Sequence, residues 1–121
     1  MNSKHHILIC DDSEDVRSLY KLALEQEHFV VETAQSRSEA QSLVEDWEPD
    51  LILVDFRMTG ISFNAFVKFL KTNPKTQASK VIALSSFSKT DPTVLNRDPS
   101  VQFFQKPASL SELLSIVQNS L

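Results

Sequence analysis

The sequence predicts a doubly wound α/β fold, a parallel five-stranded sheet with helices on both faces in a three-layer sandwich. Three observations predict it. Four short β-type apolar runs recur along the chain, Ile7 to Asp12, Leu51 to Phe56, Val81 to Ser86 and Val101 to Pro107. Stretches of helical periodicity separate them, and such alternation is the pattern of a parallel sheet covered on both faces. Each run also ends on a polar side chain: Asp11 and Asp12, Asp55, Ser85, and Lys106. In open α/β sheets ligands bind beyond the carboxyl ends of the strands. The same runs therefore predict where a site lies.

In chain order, the first strand is followed by a helix over about Glu14 to Glu27, with Val16, Leu19, Tyr20 and Ala23 on one face. A short strand at Phe29 to Glu32 comes next. Ser36 opens a second helix, with Glu39 three residues on as a capping box. Its apolar face is Ala40, Leu43, Val44 and Trp47, and Pro49 stops it. After the strand that ends at Asp55, Phe63, Phe66, Val67 and Leu70 mark a third helix ending near Pro74. Between Ser86 and Val101 the pattern is weaker. Asp91 with Pro92 opens a fourth helix, and Asp98-Pro99 ends it within about two turns. The last helix begins with a second capping box, Ser109 and Glu112, and buries Leu110, Leu113, Leu114 and Val117. Five strands suit the order 2-1-3-4-5, which puts strands one and three at the topological switch point. That order gathers Asp11, Asp12 and Asp55 in one crevice.

At 121 residues the chain fits one domain, spanning 1–121. Hydrophobic residues at 41% and charged residues at 23% describe a globular protein. No apolar run approaches the ~20 residues of a membrane helix, and MNSKHH leads straight into a strand, so a cytoplasmic address without a membrane partner is expected. With a net charge of -4 and its 12 basic residues scattered, direct nucleic-acid binding is not expected. The single cysteine, Cys10, excludes an internal disulfide and a cysteine-based metal site; within an apolar run it reads as a small core residue.

Three carboxylates in one crevice repel one another, by about 4 kcal/mol for charges ~4 Å apart at an effective dielectric of ~20. Such a cluster persists when it binds a cation or holds a proton. A few oxygen ligands suit Mg²⁺, which keeps several waters and shares phosphate oxygens. An acidic pair at a strand end more often caps the next helix, and Asp12 alone fits that role. Its convergence with Asp55 favours the metal. A hydroxyl at Ser85 and an ammonium at Lys106 beside such a site match the needs of a phosphoryl group, and a carboxylate can itself accept one. Singly, Ser85 reads as a turn residue and Lys106 as a solvated lysine.

Taken together, ILICDD, LILVDFRM, LSS and FFQKP resemble the receiver domain of two-component response regulators, over essentially the whole chain. The resemblance implies a flavodoxin-like (βα)5 fold like that of the CheY superfamily. It implies that Asp55 accepts phosphate from a sensor histidine kinase or a histidine phosphotransfer protein. It also implies Mg²⁺ bound by Asp12 and Asp55, by Asp11 through a water, and by the backbone carbonyl of Arg57. Ser85 and Lys106 would hold the phosphoryl oxygens, Phe103 would be the switch aromatic, and the Lys106-Pro107 bond would be cis. The chain departs from the family pattern at Thr59, where proline is usual, at Phe63, where glycine is frequent, at Ser86 beside the hydroxyl, and at Asp98-Pro99-Ser100. These departures bear on the output face built from helix four, strand five and the last helix.

The implied function is a phospho-accepting switch rather than a conventional enzyme. A phosphorylation-independent interaction module of the same fold is the alternative, disfavoured by the complete set of acids, hydroxyl and lysine. An aspartate-nucleophile phosphatase would place a second aspartate where Arg57 stands. A flavin domain would meet repulsion between its phosphate and Asp11-Asp12.

Overall fold

Strand-forming runs of Ile, Leu and Val occupy the centre of the molecule, and amphipathic helices close over them. A computed structural model describes residues 4–86, 100–107 and 109–121. Its elements are β1 (His6–Cys10), α1 (Glu14–Gln26), β2 (Val30–Ala34), α2 (Arg37–Leu43), β3 (Leu51–Asp55), α3 (Phe63–Thr72), β4 (Lys80–Ser85), β5 (Gln102–Gln105) and α4 (Leu110–Ser120). The helix expected at 91–98 lies outside the described residues. All strand pairs are parallel, and the sheet order is β2-β1-β3-β4-β5. The expected topology is the observed one.

Alternate residues of each strand feed two cores. On one face Leu8, Cys10, Ile52, Val54, Ala83 and Phe103 pack against Ala40 and Val44 and against Phe66, Val67 and Leu70 of α3. On the other, Ile7, Ile9, Leu53, Ile82 and Leu84 pack against Leu24 of α1 and Leu113 and Val117 of α4. Central strands β1 and β3 are buried nearly throughout, which is why they read as continuous apolar runs.

Each described helix begins at a serine. Ser13, Ser36, Ser62 and Ser109 accept from the backbone N–H of Val16, Glu39, Ala65 and Glu112. The cap at Ser13 has a consequence for the site: Asp12 is not needed to start α1.

Several expectations are corrected. On α1 Ala23 is buried and Tyr20 packs against the core as expected, but Leu19 is 51% exposed and Leu24 is buried in its place. α2 stops at Leu43 rather than running on to Pro49. Glu45 and Asp46 donate to the carbonyls of Ser42 and Leu43, a tightened turn, and Trp47 then stacks flat on His6 at 5.1 Å. That stack covers the start of β1 in place of a longer helix. Leu110 is 40% exposed, at the first turn of α4, while Ser120 is buried with its hydroxyl 3.0 Å from Gln102 Oε1.

α1 ends in a Schellman turn. His28 sits at φ 70°, its N–H donating to the Glu25 carbonyl and that of Phe29 to the Leu24 carbonyl. A side chain in left-handed backbone costs about 1 kcal/mol that glycine avoids. His28→Gly is expected to raise the thermal midpoint by a few degrees. A midpoint unchanged or lower in calorimetry would count against that reading.

Candidate functional site

The strand register carries the site. Cys10 pairs with both Ala34 and Val54, so Asp11 leaves β1 beside the end of β3, where Asp55 stands. Asp55 pairs with Leu84, and Ser85 with Gln105. Ser85 therefore lies one residue beyond Asp55's level, and the Lys106 N–H donates to the Ser85 carbonyl at 2.6 Å. Asp11, Asp12, Asp55, Ser85 and Lys106 thus converge at the carboxyl edge of the sheet.

One carboxylate oxygen each of Asp11, Asp12 and Asp55 lies within 4.8 Å of the others. Asp11 and Asp55 are buried, and Asp12 is exposed. The Lys106 ammonium reaches over both buried acids, with Nζ 3.5 Å from Asp11 Oδ2 and 3.4 Å from Asp55 Oδ2. Asp11 is held on both sides: its Oδ1 accepts from the Ser13 N–H at 2.9 Å, and its carbonyl accepts from Arg17 Nη1 at 2.9 Å. Asp55 Oδ1 accepts from the Arg57 N–H at 3.1 Å. With Ser13 capping the helix, the side chain of Asp12 is left for the cluster.

Burial pushes the Asp55 carboxyl above its ordinary range. The Arg57 N–H opposes the shift, Asp11 adds to it, and Lys106 opposes it. Burial alone would lower the Lys106 ammonium, but the charges of Asp11 and Asp55 outweigh burial and the net shift is upward. An all-oxygen donor set of this size, with charge in excess of its local cation, fits a small divalent ion such as Mg²⁺. Cys10, next to Asp11, belongs to the core: burial lifts its thiol to about 12, so it is neutral and unreactive at ordinary pH.

Ser85 is fully buried at the end of β4. Phe103 is buried on the α2–α3 face, its ring edge-on to Phe56 at 5.0 Å, and Phe56 is edge-on to Phe63 at 5.0 Å. The Lys106-Pro107 bond is trans, since no cis peptide occurs among the described residues. This corrects the cis bond that the resemblance implied. Even before proline the amide favours trans by about 0.5–1 kcal/mol, and cis needs surroundings that impose it.

One residue at the site carries no signal in the sequence. Arg37, at the first position of α2, is 2% exposed, and its guanidinium contacts the carbonyls of Asp55 and Phe56. A charged residue just after a serine cap reads as solvated. Its partners lie some twenty residues away, in a loop whose path no local pattern reveals.

A family model described as "Response regulator receiver domain" matches residues 7–118. The chain belongs to that family. Receiver domains are signalling switches of two-component systems that work by phosphorylation, and as a family they bind Mg²⁺ at an acidic cluster. This receiver is 31% identical over 114 residues to the phosphate regulon transcriptional regulatory protein PhoB of Escherichia coli. The match covers 93% of this chain and 49% of that protein, so the receiver spans about half of PhoB's length. Response regulator TrrA from Thermotoga maritima, solved in complex with Mg(2+)-BeF, is 26% identical with a TM-score of 0.78, covering 97% of this chain and 99% of that one. The chemotaxis protein CheY4 of Vibrio cholerae shares the fold, with a TM-score of 0.88 at 22% identity over 98% of this receiver and 100% of that chain. Among the described residues no helix is long and apolar enough to cross a membrane.

Proposed function

We propose that this receiver is a phospho-accepting switch in which Asp55 takes a phosphoryl group from a histidine of a sensor kinase or phosphotransfer protein. The observation that carries the reading is the Lys106 ammonium held 3.4 Å from Asp55 and 3.5 Å from Asp11, in a cluster of three carboxylates. An Asp55 oxygen attacks phosphorus, the P–N bond to the donor imidazole breaks, and the imidazole nitrogen keeps the electron pair and takes a proton. Asp11, Asp12, Asp55 and the Arg57 carbonyl would hold Mg²⁺, which when bound neutralises charge on the phosphoryl oxygens. Lys106 and the Ser85 hydroxyl donate to those oxygens. The chain is then a substrate that assists its own phosphorylation and hydrolysis, with no turnover of a separate substrate.

Phe103 supports the second half of the switch. It packs on Phe56, the residue after the acceptor, so a change at Asp55 or Ser85 acts on an aromatic contact leading to the surface of β5. The output partner is a protein that distinguishes the two surfaces.

The test is the intact mass after incubation with Mg²⁺ and acetyl phosphate. The expected result is a gain of one phosphoryl group, absent in Asp55→Asn. A folded protein that binds Mg²⁺ yet gains no mass would refute the switch and leave a phosphorylation-independent interaction module, whose partner binding Asp55→Asn leaves intact.

A further inference from the structure

Arginine is almost never fully buried unless its charge is paired, and Arg37 is buried against backbone rather than carboxylate. Its Nη1 donates to the carbonyls of Met58 at 3.3 Å and Ile61 at 2.6 Å. Its Nη2 donates to those of Asp55 at 3.3 Å and Phe56 at 2.8 Å. One planar fork therefore ties down both ends of the segment from Asp55 to Ile61. The carbonyls on either side of Arg57, those of Phe56 and Met58, are both captured. The guanidinium lies 5.6 Å from the centre of the Phe63 ring, and Phe63 in turn packs on Phe56. Phe56, Met58 and Ile61 also rest against the core, and the Phe56 N–H donates to the Leu84 carbonyl, but the fork is what joins the two ends of the segment. The segment contains no proline, Thr59 is exposed, and Gly60 sits at φ 95° with open space around its α-carbon.

We propose that Arg37 is a positioning residue for phosphoryl transfer. It holds the loop that presents the Arg57 N–H to Asp55 Oδ1 and carries the Arg57 carbonyl, and so presets the Asp55 carboxylate and the metal cradle. The inference rests on Asp55 being the acceptor. Residues that orient ligands from behind are typically worth about 10–100-fold in metal affinity or activity. Four hydrogen bonds to one segment put Arg37 in that class.

The test uses Arg37→Lys, which keeps the charge and loses the fork, and Arg37→Met, which loses both. Three quantities are measured: amide hydrogen exchange of residues 57–61 without metal, the Mg²⁺ dissociation constant by calorimetry, and the rate of phosphorylation by acetyl phosphate at saturating Mg²⁺. In both variants exchange in the loop is expected to quicken by at least about tenfold, Mg²⁺ to bind about 10–100-fold more weakly, and phosphorylation to slow by a similar factor. Lower thermal stability with loop exchange, Mg²⁺ affinity and rate all unchanged would make Arg37 a packing residue and overturn the proposal. If neither variant folds, Phe63→Leu removes the ring beside the guanidinium while keeping an apolar side chain. The same directions are expected there, and unchanged exchange and affinity would overturn the proposal equally. A wild-type chain that gains no phosphoryl group defeats the acceptor reading itself; one that does, matched by Arg37→Lys in rate and affinity, defeats only the role of Arg37.

Discussion

Lys106→Met is expected to slow phosphorylation of Asp55 by about 10²–10³-fold, the usual loss when one preorganised donor to developing charge is removed. The same change is expected to tighten Mg²⁺ binding. Both follow from one geometry, in which the ammonium sits 3.4 and 3.5 Å from the two buried acids. Before reaction Lys106 neutralises the site and competes with any cation that enters. During transfer it is the fixed positive charge nearest the acceptor. Initial rates by intact mass and Mg²⁺ titration by calorimetry check the two halves separately. A rate within twofold of the wild type, or weaker Mg²⁺ binding, would sink the assignment of Lys106.

Mg²⁺ is expected to stabilise the folded chain, and to do so more as pH rises. Burial lifts the Asp55 carboxyl above its ordinary value of 3.8. Ionising it therefore costs more in the folded chain than in the unfolded one. The stability linked to this group is fully present below about pH 4 and is lost as pH rises through the raised value. A divalent ion held by ionised acids reverses that loss, so the gap between melting curves with Mg²⁺ and with chelator widens across the same window. At free Mg²⁺ about 100 times its dissociation constant the linkage is about 2.7 kcal/mol, on the order of 10 °C in midpoint. Asp12→Ala is expected to remove the gap while leaving the metal-free midpoint nearly unchanged, because Asp12 is exposed and Ser13 caps α1. A gap that survives this substitution would count against the cradle. So would a gap that narrows with pH.

The elements that the chain announces are those whose signal is local. Apolar runs of five or six residues ending in Asp55 and Ser85 become β3 and β4. The serine caps at Ser36 and Ser109 form as spaced, because a serine hydroxyl and the third amide of a helix meet wherever a helix starts, while Glu39 Oε1 accepts from the Gln35 N–H rather than from that of Ser36. Helix faces were less legible. α1 carries apolar residues at Leu19, Leu22 and Leu24, and nothing local says that Leu24 goes in while Leu19 and Leu22 stay out. The end of α2 at Leu43 is hidden from the sequence for a related reason. Pro49 does forbid helix, but the stack of Trp47 on His6, across 41 residues of chain, rewards an earlier stop.

The sequence by itself determined the sheet order, the strand ends and hence which carboxylates face one crevice, since period and topology are properties of the pattern. Only the tertiary structure decided how the crevice is held. Arg37 turns inward where its guanidinium can donate to four carbonyls of residues distant in sequence, and Lys106 bridges Asp11 and Asp55 because β1, β3 and β5 all end at the same edge of one parallel sheet. Burial and pairing of a charge depend on what arrives from elsewhere, and a stretch of sequence cannot show its own surroundings.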